Sequence, residues 1–194
     1  MDFFNDEIIL EDNTVLIRIM KQSDFDEFKK IAFEEEIWEY IPVLINDDAS
    51  LQKWMDMHFA DYHAKTRIPF VIFEKSTGKT AGSSSYLNIA FADKRLEIGY
   101  TWYGKEFRGT GLNKHCKYLL IDFAFEKMDI VRVEFKTDVL NLRSRRALTR
   151  IGAFEEGVLR SHMILHNGRR RDSIYYSILK NEWDFVKQNH FADM

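Results

Sequence analysis

The amino-acid sequence predicts an α/β fold with a mixed, mostly antiparallel sheet, one central parallel crossover and helices on the sheet faces. Residues 97–103 have the Tyr-, Trp- and Thr-rich composition of a strand, residues 112–127 carry a helical stripe, and residues 130–138 alternate like a second strand. A strand, helix and strand in this order form a right-handed parallel crossover. Turn signals at residues 76–80 and at Asn167-Gly168 indicate antiparallel hairpins on either side of it.

The composition is that of one globular domain, residues 1–194, with 45% hydrophobic and 30% charged residues. A net charge of −3 does not mark a nucleic-acid-binding protein. There is no run of about 18 apolar residues to span a membrane, and the acidic N-terminal segment lacks the basic start of a signal peptide. The single Cys116 excludes an internal disulfide and falls on the apolar stripe of its helix. We therefore expect a cytoplasmic monomer or homodimer that binds neither nucleic acid nor membrane.

The N-terminal segment is predicted as a strand followed by a helix. Residues 14–20 have the apolar composition of a strand. Ser23 is a candidate N-cap, and Asp26 completes a capping-box pattern three residues later. We expect the acidic run at residues 34–36 to be solvated, and the helix to end in the aromatic-rich turn that contains Trp38.

A second helix and a hairpin come next. The helix follows Asp47-Asp48 and carries His58 on its apolar stripe, where a structural, partly buried histidine is favoured over a ligand. Strand patterns at residues 69–74 and 81–89 flank the sequence STGKT at residues 76–80. Because no helix follows STGKT, we assign it to a hairpin turn rather than to a nucleotide-binding loop.

The second half adds a helix, a hairpin and a terminal helix after the crossover. In the strand at residues 130–138, Val131, Val133 and Phe135 are expected on one face. The next helix has Asn141 as its N-cap and Gly152 just past its end. The remaining predicted elements are strands at residues 156–165 and 171–179 and a helix at residues 182–189.

A glycine-rich turn joins the strand at residues 97–103 to the helix that begins at Leu112. Glycines allow the backbone to approach a ligand, and a helix N-terminus attracts anions, so Arg108, Gly109 and Gly111 together indicate a phosphate site. An ordinary tight connection between strand and helix is the alternative. The turn matches neither the G-x-x-x-x-G-K-[ST] nor the G-x-G-x-x-G phosphate fingerprint.

The segment RGTGLN at residues 108–113 resembles the R/Q-x-x-G-x-G/A loop of the GNAT N-acetyltransferases, with Asn113 in place of the final Gly or Ala. The motifs N-x-x-S at Asn141 and Ser144, IGAF at residues 151–154 and EGVLR at residues 156–160 resemble the RimJ/RimL-like branch of that superfamily. The resemblance covers about residues 10–185. It implies the GNAT acyl-CoA N-acyltransferase fold and transfer of an acetyl group from acetyl-CoA to a primary amine, without a metal. The amine would belong to a protein N-terminus or to a small molecule.

The resemblance also implies a set of coenzyme contacts. The strand at residues 97–103 would splay from the strand at residues 130–138, and the pantetheine arm would fill the gap. Arg143, Arg145 and Arg146 could meet the 3′-phosphate or form a solvated helix face. The implied cofactor-binding residues are Tyr100, Thr101, Trp102, Tyr103, Arg108, Gly109, Thr110, Gly111, Leu112, Asn113, Asn141, Ser144 and Arg145.

Three residues are catalytic candidates. Ser144 would protonate the leaving sulfur, because Leu148 stands where many GNAT enzymes have a tyrosine. The base is either Glu97, which the strand pleat would place on one face with Gly99 and Thr101, or His162, whose ordinary pKa suits proton transfer. Backbone N–H groups of the strand would stabilise the oxyanion. For Ser144, Glu97 and His162 a purely structural role is the alternative.

Two functions of other classes compete with acetyl transfer. Asn113 and the absent tyrosine favour a non-catalytic acyl-CoA-binding or sensing domain. A nucleotide-binding module built on RGTGLN and STGKT is disfavoured by the missing Walker lysine. We expect acceptor specificity to lie in residues 34–46 and 161–171. The basic run at residues 169–171 would be a solvated turn or a contact for an acidic acceptor or nucleic acid.

Overall fold

The computed structural model describes residues 3–194, so residues 1 and 2 of the predicted domain lie outside the described part. Strands and helices alternate along the chain in the order expected for a mixed sheet. The strands are β1 (Ile9–Glu11), β2 (Val15–Ile19), β3 (Arg67–Glu74), β4 (Thr80–Ala90), β5 (Arg95–Tyr103), β6 (Arg132–Asp138), β7 (Phe154–Ile164) and β8 (Arg170–Leu179). The helices are α1 (Phe25–Ala32), α2 (Glu35–Trp38), α3 (Asp48–His63), α4 (Leu112–Glu126), α5 (Leu142–Arg150) and α6 (Trp183–His190).

One eight-stranded sheet has the order β1-β2-β3-β4-β5-β6-β8-β7. Among the described strands only β5 and β6 pair in parallel; every other neighbouring pair is antiparallel. Helix α4 makes the crossover between the parallel strands. The predicted fold class, a mostly antiparallel sheet with a central parallel crossover, is therefore confirmed.

Each face of the sheet has its own apolar core. Helices α4 and α6 pack on one face, where Leu120, Phe125 and Trp183 meet sheet residues such as Ile98 and Val133. On the other face α1, α2 and α3 enclose an aromatic cluster in which Trp102 of β5 contacts three rings. Its ring centroid lies 5.5 Å from that of Phe28, 5.3 Å from that of Trp38 and 5.9 Å from that of Trp54. This cluster holds the end of β5.

Most of the predicted caps and turns are present. The Asp47 carboxylate accepts the Ser50 N–H at 2.7 Å and caps α3, and Asn141 caps α5 in the same way. Gly152, after α5, has φ +80°, and Gly168 in the β7–β8 turn has φ +82°, a conformation that glycine adopts without strain. The STGKT sequence lies in the β3–β4 hairpin turn, as predicted.

The N-terminal region differs from the sequence-based expectation. Ser23 does not cap α1; it lies in a 3₁₀ turn, Gln22–Asp24, that precedes the helix. The Asp24 carboxylate instead accepts the Lys21 N–H at 2.7 Å and pairs with Arg18. The predicted single helix is divided into α1 and α2, and Trp38 is buried at the end of α2. Within the acidic run, Glu35 and Glu36 are exposed as expected, and they form the first turn of α2. Strand β1 was not predicted.

Val131 also differs from its predicted position. It precedes β6 and is 43% exposed, whereas Val133 and Phe135 are buried as expected. The strand begins two residues later than predicted, at Arg132 instead of residue 130. Among residues 3–194, no helix is both long and apolar enough to cross a membrane.

Candidate active site

The parallel strands β5 and β6 separate along part of their length. They pair only from Arg95 to Glu97 on β5 and from Arg132 to Glu134 on β6, although β5 continues to Tyr103 and β6 to Asp138. Backbone groups of β5 beyond Glu97 therefore face a gap on this side instead of a partner strand. Unpaired backbone N–H and C=O groups require other hydrogen-bonding partners. This separation is the splay implied by the sequence resemblance.

A β-bulge changes the direction of the side chains within the gap. Ser85 pairs with Gly99 and Ser83 with Trp102, so β5 has one residue more than β4 in this interval. The extra residue is accommodated at Tyr100, which has φ +49°. The bulge interrupts the pleat, and side chains beyond it exchange faces relative to a regular strand.

The prediction that Thr101 shares a face with Glu97 and Gly99 is wrong for this reason. Thr101 Oγ1 meets Lys117 Nζ of α4 at 2.9 Å, on the α4 face. Glu97 lies on the opposite face, and a Cβ on Gly99 would stand 3.0 Å from its Oε1 atom. Gly99 and Glu97 are therefore neighbours as predicted, while Thr101 contributes to the other wall.

A cleft of about 1020 Å³ follows the gap from the 108–113 loop to the start of β8. Most residues implied by the resemblance line it: Tyr100, Thr101, Trp102, Tyr103, Arg108, Gly109, Gly111, Asn113, Asn141, Ser144 and Glu97. Thr110, Leu112, Arg145 and His162 lie outside its lining. The side chain of Leu112 belongs to the core. Arg145 turns toward the Tyr176 hydroxyl (3.3 Å) and the Val139 carbonyl (3.2 Å).

The 108–113 loop leaves open space beside its backbone. Gly109 has φ +78° and Gly111 has φ +93°, and a Cβ added at either would meet no atom within 4 Å. Within the described part of the chain, the N–H groups of Gly109, Thr110 and Gly111 make no hydrogen bond. Helix α4 starts immediately after them, so its dipole adds positive potential at the same place. The loop geometry fits a phosphate group.

The charge of Arg108 is already engaged by the protein. Its Nε donates to the Tyr103 carbonyl at 2.9 Å, and its two Nη atoms lie 3.1 Å from Glu34 and 3.4 Å from Glu36. Arg108 therefore joins the end of β5 to the start of α2 and does not present a free positive charge. Its direct contact with a phosphate stays a prediction.

Cations on α5 surround the cleft near this loop. Arg143, Arg146 and Arg150 line it and, within residues 3–194, have no carboxylate within ion-pair distance. Uncompensated guanidinium groups of this kind suit phosphate recognition. Of the three, Arg150 carried no signal in the sequence beyond its helical spacing from Arg146.

Asn141 and Ser144 stand at the start of α5, facing the same cleft. Asn141 Oδ1 accepts the Ser144 N–H at 3.0 Å, which confirms the cap. The Ser144 hydroxyl makes no hydrogen bond to any residue of the described chain, so it is available to a ligand.

Glu97 is the acidic residue in the cleft lining and is only 2% exposed. Its Oε2 accepts from Asn88 Nδ2 at 2.9 Å and from Lys136 Nζ at 3.1 Å. These two donors hold the carboxylate in one orientation while leaving Oε1 without a protein donor in the described residues. Glu97 is therefore placed to receive a hydrogen bond from a bound molecule.

His162 lies on the exposed edge strand, outside the cleft. The pairing of β7 with β8 is irregular there, because β7 advances four residues from Leu159 to Met163 while β8 spans only two. Within this irregular part of β7, Ser161 adopts φ +53°. Partial desolvation lowers the pKa of His162, and Lys136 and Arg171 lower it further. The imidazole is therefore neutral near pH 7, but Met163, not His162, faces the cleft.

Lys117 was not identified from the sequence. It belongs to α4, is 5% exposed, lines the cleft and donates to Thr101. Burial lowers the pKa of Lys117 to about 8. Its sequence position, next to the apolar-stripe residue Cys116, carried no signal.

Burial raises the pKa of Cys116 to about 12, so the thiol stays protonated and packs in the core, as expected.

Comparison with known proteins agrees with this geometry. A profile of the acetyltransferase (GNAT) domain matches residues 14–153. The chain belongs to the GNAT acetyltransferase family. The predicted family resemblance is thus confirmed. As a separate observation, the structure of residues 3–194 contains no group of three or more His, Cys, Asp or Glu side chains placed to hold a metal ion.

Individual GNAT relatives extend the comparison. The chain is 39% identical over 110 residues to the Bacillus subtilis "Putative ribosomal N-acetyltransferase YdaF"; the match spans 57% of this chain and 59% of that protein. A GCN5-related N-acetyltransferase from Brucella melitensis superimposes with a TM-score of 0.88 at 26% identity, covering 96% of this chain and 85% of the other. Mycobacterium smegmatis RimJ in complex with CoA-disulfide shares the fold at 20% identity, with a TM-score of 0.81 and coverage of 96% and 93%.

The buried His58 predicts a pH dependence of stability. Its Nδ1 donates to the Trp54 carbonyl (2.8 Å) and its Nε2 accepts from Arg67 (2.9 Å), so the favoured structural role is confirmed. Burial, and secondarily Arg67, lower the pKa of His58 to about 3. The unfolded chain, with a histidine pKa of about 6.5, binds this proton first. Stability from the neutral imidazole is complete above pH 6.5 and falls as the pH drops from about 6.5 toward 3.

We expect the free energy of unfolding to fall by about 1.4 kcal/mol more per pH unit in the parent than in His58→Gln between pH 6 and 5. Urea titrations at pH 7.5, 6 and 5 measure this slope. His63→Gln, an exposed change on the same helix, serves as the control. Equal slopes in the parent and His58→Gln would contradict the assignment of His58 as buried and neutral.

Proposed function

We propose that the protein transfers the acetyl group of acetyl-CoA to a primary amine. The observation that carries this proposal is the gap between β5 and β6, with a glycine loop and a helix start at one end and Glu97 at the other. A long donor could lie along the gap with its phosphates at the loop. The acceptor would then enter from the Glu97 end.

The donor would be held by backbone and cationic groups together. The free N–H groups at Gly109 to Gly111 and the α4 dipole suit a pyrophosphate. Arg143, Arg146 and Arg150 suit a further phosphate. Backbone groups of Tyr100 to Tyr103 would bond the pantetheine arm as a strand would. The side chain of Asn113, which replaces a small residue of the family motif, also faces the cleft.

Acetyl transfer requires a neutral amine, a stabilised oxyanion and a protonated leaving group. We assign removal of the amine proton to Glu97, because it lines the cleft and His162 does not. The nitrogen lone pair forms a bond to the thioester carbon, and N–H groups of the splayed β5 would stabilise the oxyanion. When the C–S bond breaks, Ser144 would give a proton to the sulfur and regain one from the attacking nitrogen.

The similar proteins bear on which class of amine accepts the acetyl group. The similarity to a Bacillus subtilis protein named as a putative ribosomal N-acetyltransferase favours a protein N-terminus over a small amine. We propose that residues 1–194 act as one domain, in the cytoplasm, as a monomer or homodimer without nucleic acid or membrane.

A non-catalytic acyl-CoA-binding domain is the second candidate. Asn113 in the loop and Leu148 in place of a tyrosine favour it. Release of coenzyme A thiol in the presence of an amine panel separates the two, because a sensor would bind the donor without releasing thiol above the uncatalysed rate.

Gly111→Val should remove the stabilisation that acetyl-CoA confers, because the branched side chain would fill the open space beside the loop. In the parent, ligand at about 100 times its dissociation constant should add about 2.7 kcal/mol of stability, read as a rise in melting temperature. Gly168→Val is the matched control, since it has a similar positive φ and open space but lies in a distant turn. Both variants lose stability from backbone strain, yet only Gly111→Val should lose the ligand-induced rise. An unchanged rise in Gly111→Val would mean that the phosphates bind elsewhere.

Ser144→Ala should lower kcat about a hundredfold, the low end for general acid catalysis, because a thiolate is a fair leaving group. The dissociation constant of acetyl-CoA should change little. Thr149→Ala on the same helix, outside the cleft, is the control. Steady-state kinetics and calorimetric titration supply both quantities. A normal kcat in Ser144→Ala would return Ser144 to a packing role.

Glu97→Gln should remove the acidic limb of the pH profile of kcat/KM, because the amide keeps the shape of the side chain but cannot accept a proton. His162→Asn should keep that limb. The measurement is kcat/KM against pH at a fixed acceptor for the parent and both variants. Loss of the limb only in His162→Asn would transfer the role to His162; an unchanged profile in both would exclude both side chains as the base.

A further inference from the structure

Arg171 lies at the acceptor end of the cleft with part of its hydrogen-bonding capacity unused. It belongs to β8, pairs with Met163 of β7, is 5% exposed and lines the cleft together with Tyr40 and Glu97. Its Nη1 donates to the Tyr40 carbonyl at 3.1 Å. Its Nε is buried and, within residues 3–194, has no acceptor. A buried donor without a partner has lost its hydrogen bonds to water without replacement, so a group that binds there recovers free energy.

The unused donors form one edge of the guanidinium plane. The Nε–H and the neighbouring Nη2–H point in parallel, and Nη2 likewise has no hydrogen bond to the described chain. Two parallel N–H donors are the geometry that binds both oxygens of a carboxylate. An amine substrate without a carboxylate, whether neutral or cationic, would not accept both of these hydrogen bonds with two equivalent oxygens.

Three other cations at this end of the molecule are compensated by a carboxylate, whereas Arg171 is not among residues 3–194. Arg67 pairs with Asp61 at 3.0 Å, Lys136 with Glu97 at 3.1 Å, and Arg169 with Asp138. Arg171 has no carboxylate within 4 Å in the described structure; Asp138 and Glu97 act on it only through longer-range attraction. The acceptor end of the cleft therefore keeps one uncompensated, largely desolvated positive charge.

We propose that the acceptor is a primary amine that also bears a carboxylate, and that Arg171 binds this carboxylate while Glu97 faces the amine. This inference rests on the proposed acetyl transfer and specifies its substrate class. The three arginines of the basic run at residues 169–171 then have different surroundings. Arg170 is exposed and bonds Ser161, Arg169 pairs with Asp138, and only Arg171 lines the cleft. The amine and carboxylate would belong to a free amino acid or to a peptide whose second residue is acidic.

The alternative is that Arg171 only anchors the segment around Tyr40. An anchor would affect all acceptors alike, whereas a carboxylate-binding residue would affect only acidic ones. The test therefore compares the ratio of kcat/KM between an acidic acceptor and its neutral counterpart in each variant, and not the absolute activity.

The experiment uses two peptides that differ only in the second residue, Ser-Asp-Ala-Ala and Ser-Asn-Ala-Ala, and a second pair, free alanine and alaninamide. Thiol release gives kcat/KM for each, and calorimetric titration into the coenzyme A-saturated protein gives affinities without turnover. In the parent, at least one acidic member should be preferred about tenfold or more, equal to about 1.4 kcal/mol. A preference within the peptide pair or the amino-acid pair identifies the source of the carboxylate.

Arg171→Gln should abolish the preference, and Arg171→Lys, which keeps the charge but loses the fork, should retain part of it. Arg160→Gln, an exposed change on the adjacent β7, should keep the full preference. If the parent has equal kcat/KM values and equal affinities for both members of each pair, the inference is overturned. It is also overturned if Arg171→Gln keeps the preference for the acidic member. Absence of thiol release from every acceptor would refute the proposed function alone, because the titrations still report whether Arg171 selects a carboxylate.

Discussion

The candidate site depends on one interruption of sheet pairing, the separation of β5 from β6 after Glu97. Two features of β5 keep it in place beyond Glu97, where it no longer pairs with β6. The bulge at Tyr100 keeps β5 paired to β4, and Trp102 inserts among the rings of Phe28, Trp38 and Trp54. The gap is thus held open by packing on the face opposite α4, so a ligand need not force the strands apart.

The two ends of the gap have different electrostatic character. At the loop end, α5 guanidinium groups and backbone N–H groups that have no acceptor among residues 3–194 offer positive potential, while the carboxylate of the described lining, Glu97, lies at the other end. At the other end, Glu97 is held by Lys136 and Asn88 beside Arg171, so one negative and one unpaired positive group face the same space. A donor with phosphates and an acceptor with an amine and a carboxylate would each find opposite charge where it binds. Arg108 is paired with Glu34 and Glu36 and bonds the Tyr103 carbonyl, so it joins the loop to the end of β5 and the start of α2.

The sequence was sufficient for features that depend on local chemistry. The central crossover, the Asn141 cap, both hairpin turns and the family loop all rest on residues close together in the chain, and the structure has each of them. The bulge at Tyr100 could not be predicted, because a tyrosine with positive φ has no compositional signal, and this is why Thr101 was assigned to the wrong face. The partners of Arg108 lie more than 70 residues away, at Glu34 and Glu36, and the free edge of Arg171 depends on the fold placing Tyr40 beside it. Contacts between distant segments of this kind leave no periodic pattern.

The central claim, that the gap between β5 and β6 receives acetyl-CoA as a strand-like ligand, is tested most directly by backbone hydrogen exchange with and without acetyl-CoA. The account predicts slower exchange within residues 98–103 and 109–113 on binding, because the amides there that face the gap instead of β4 gain acceptors from the ligand, with little change in the antiparallel pair β2–β3. A ligand that raises the melting temperature but leaves exchange at residues 98–103 unchanged would contradict the account.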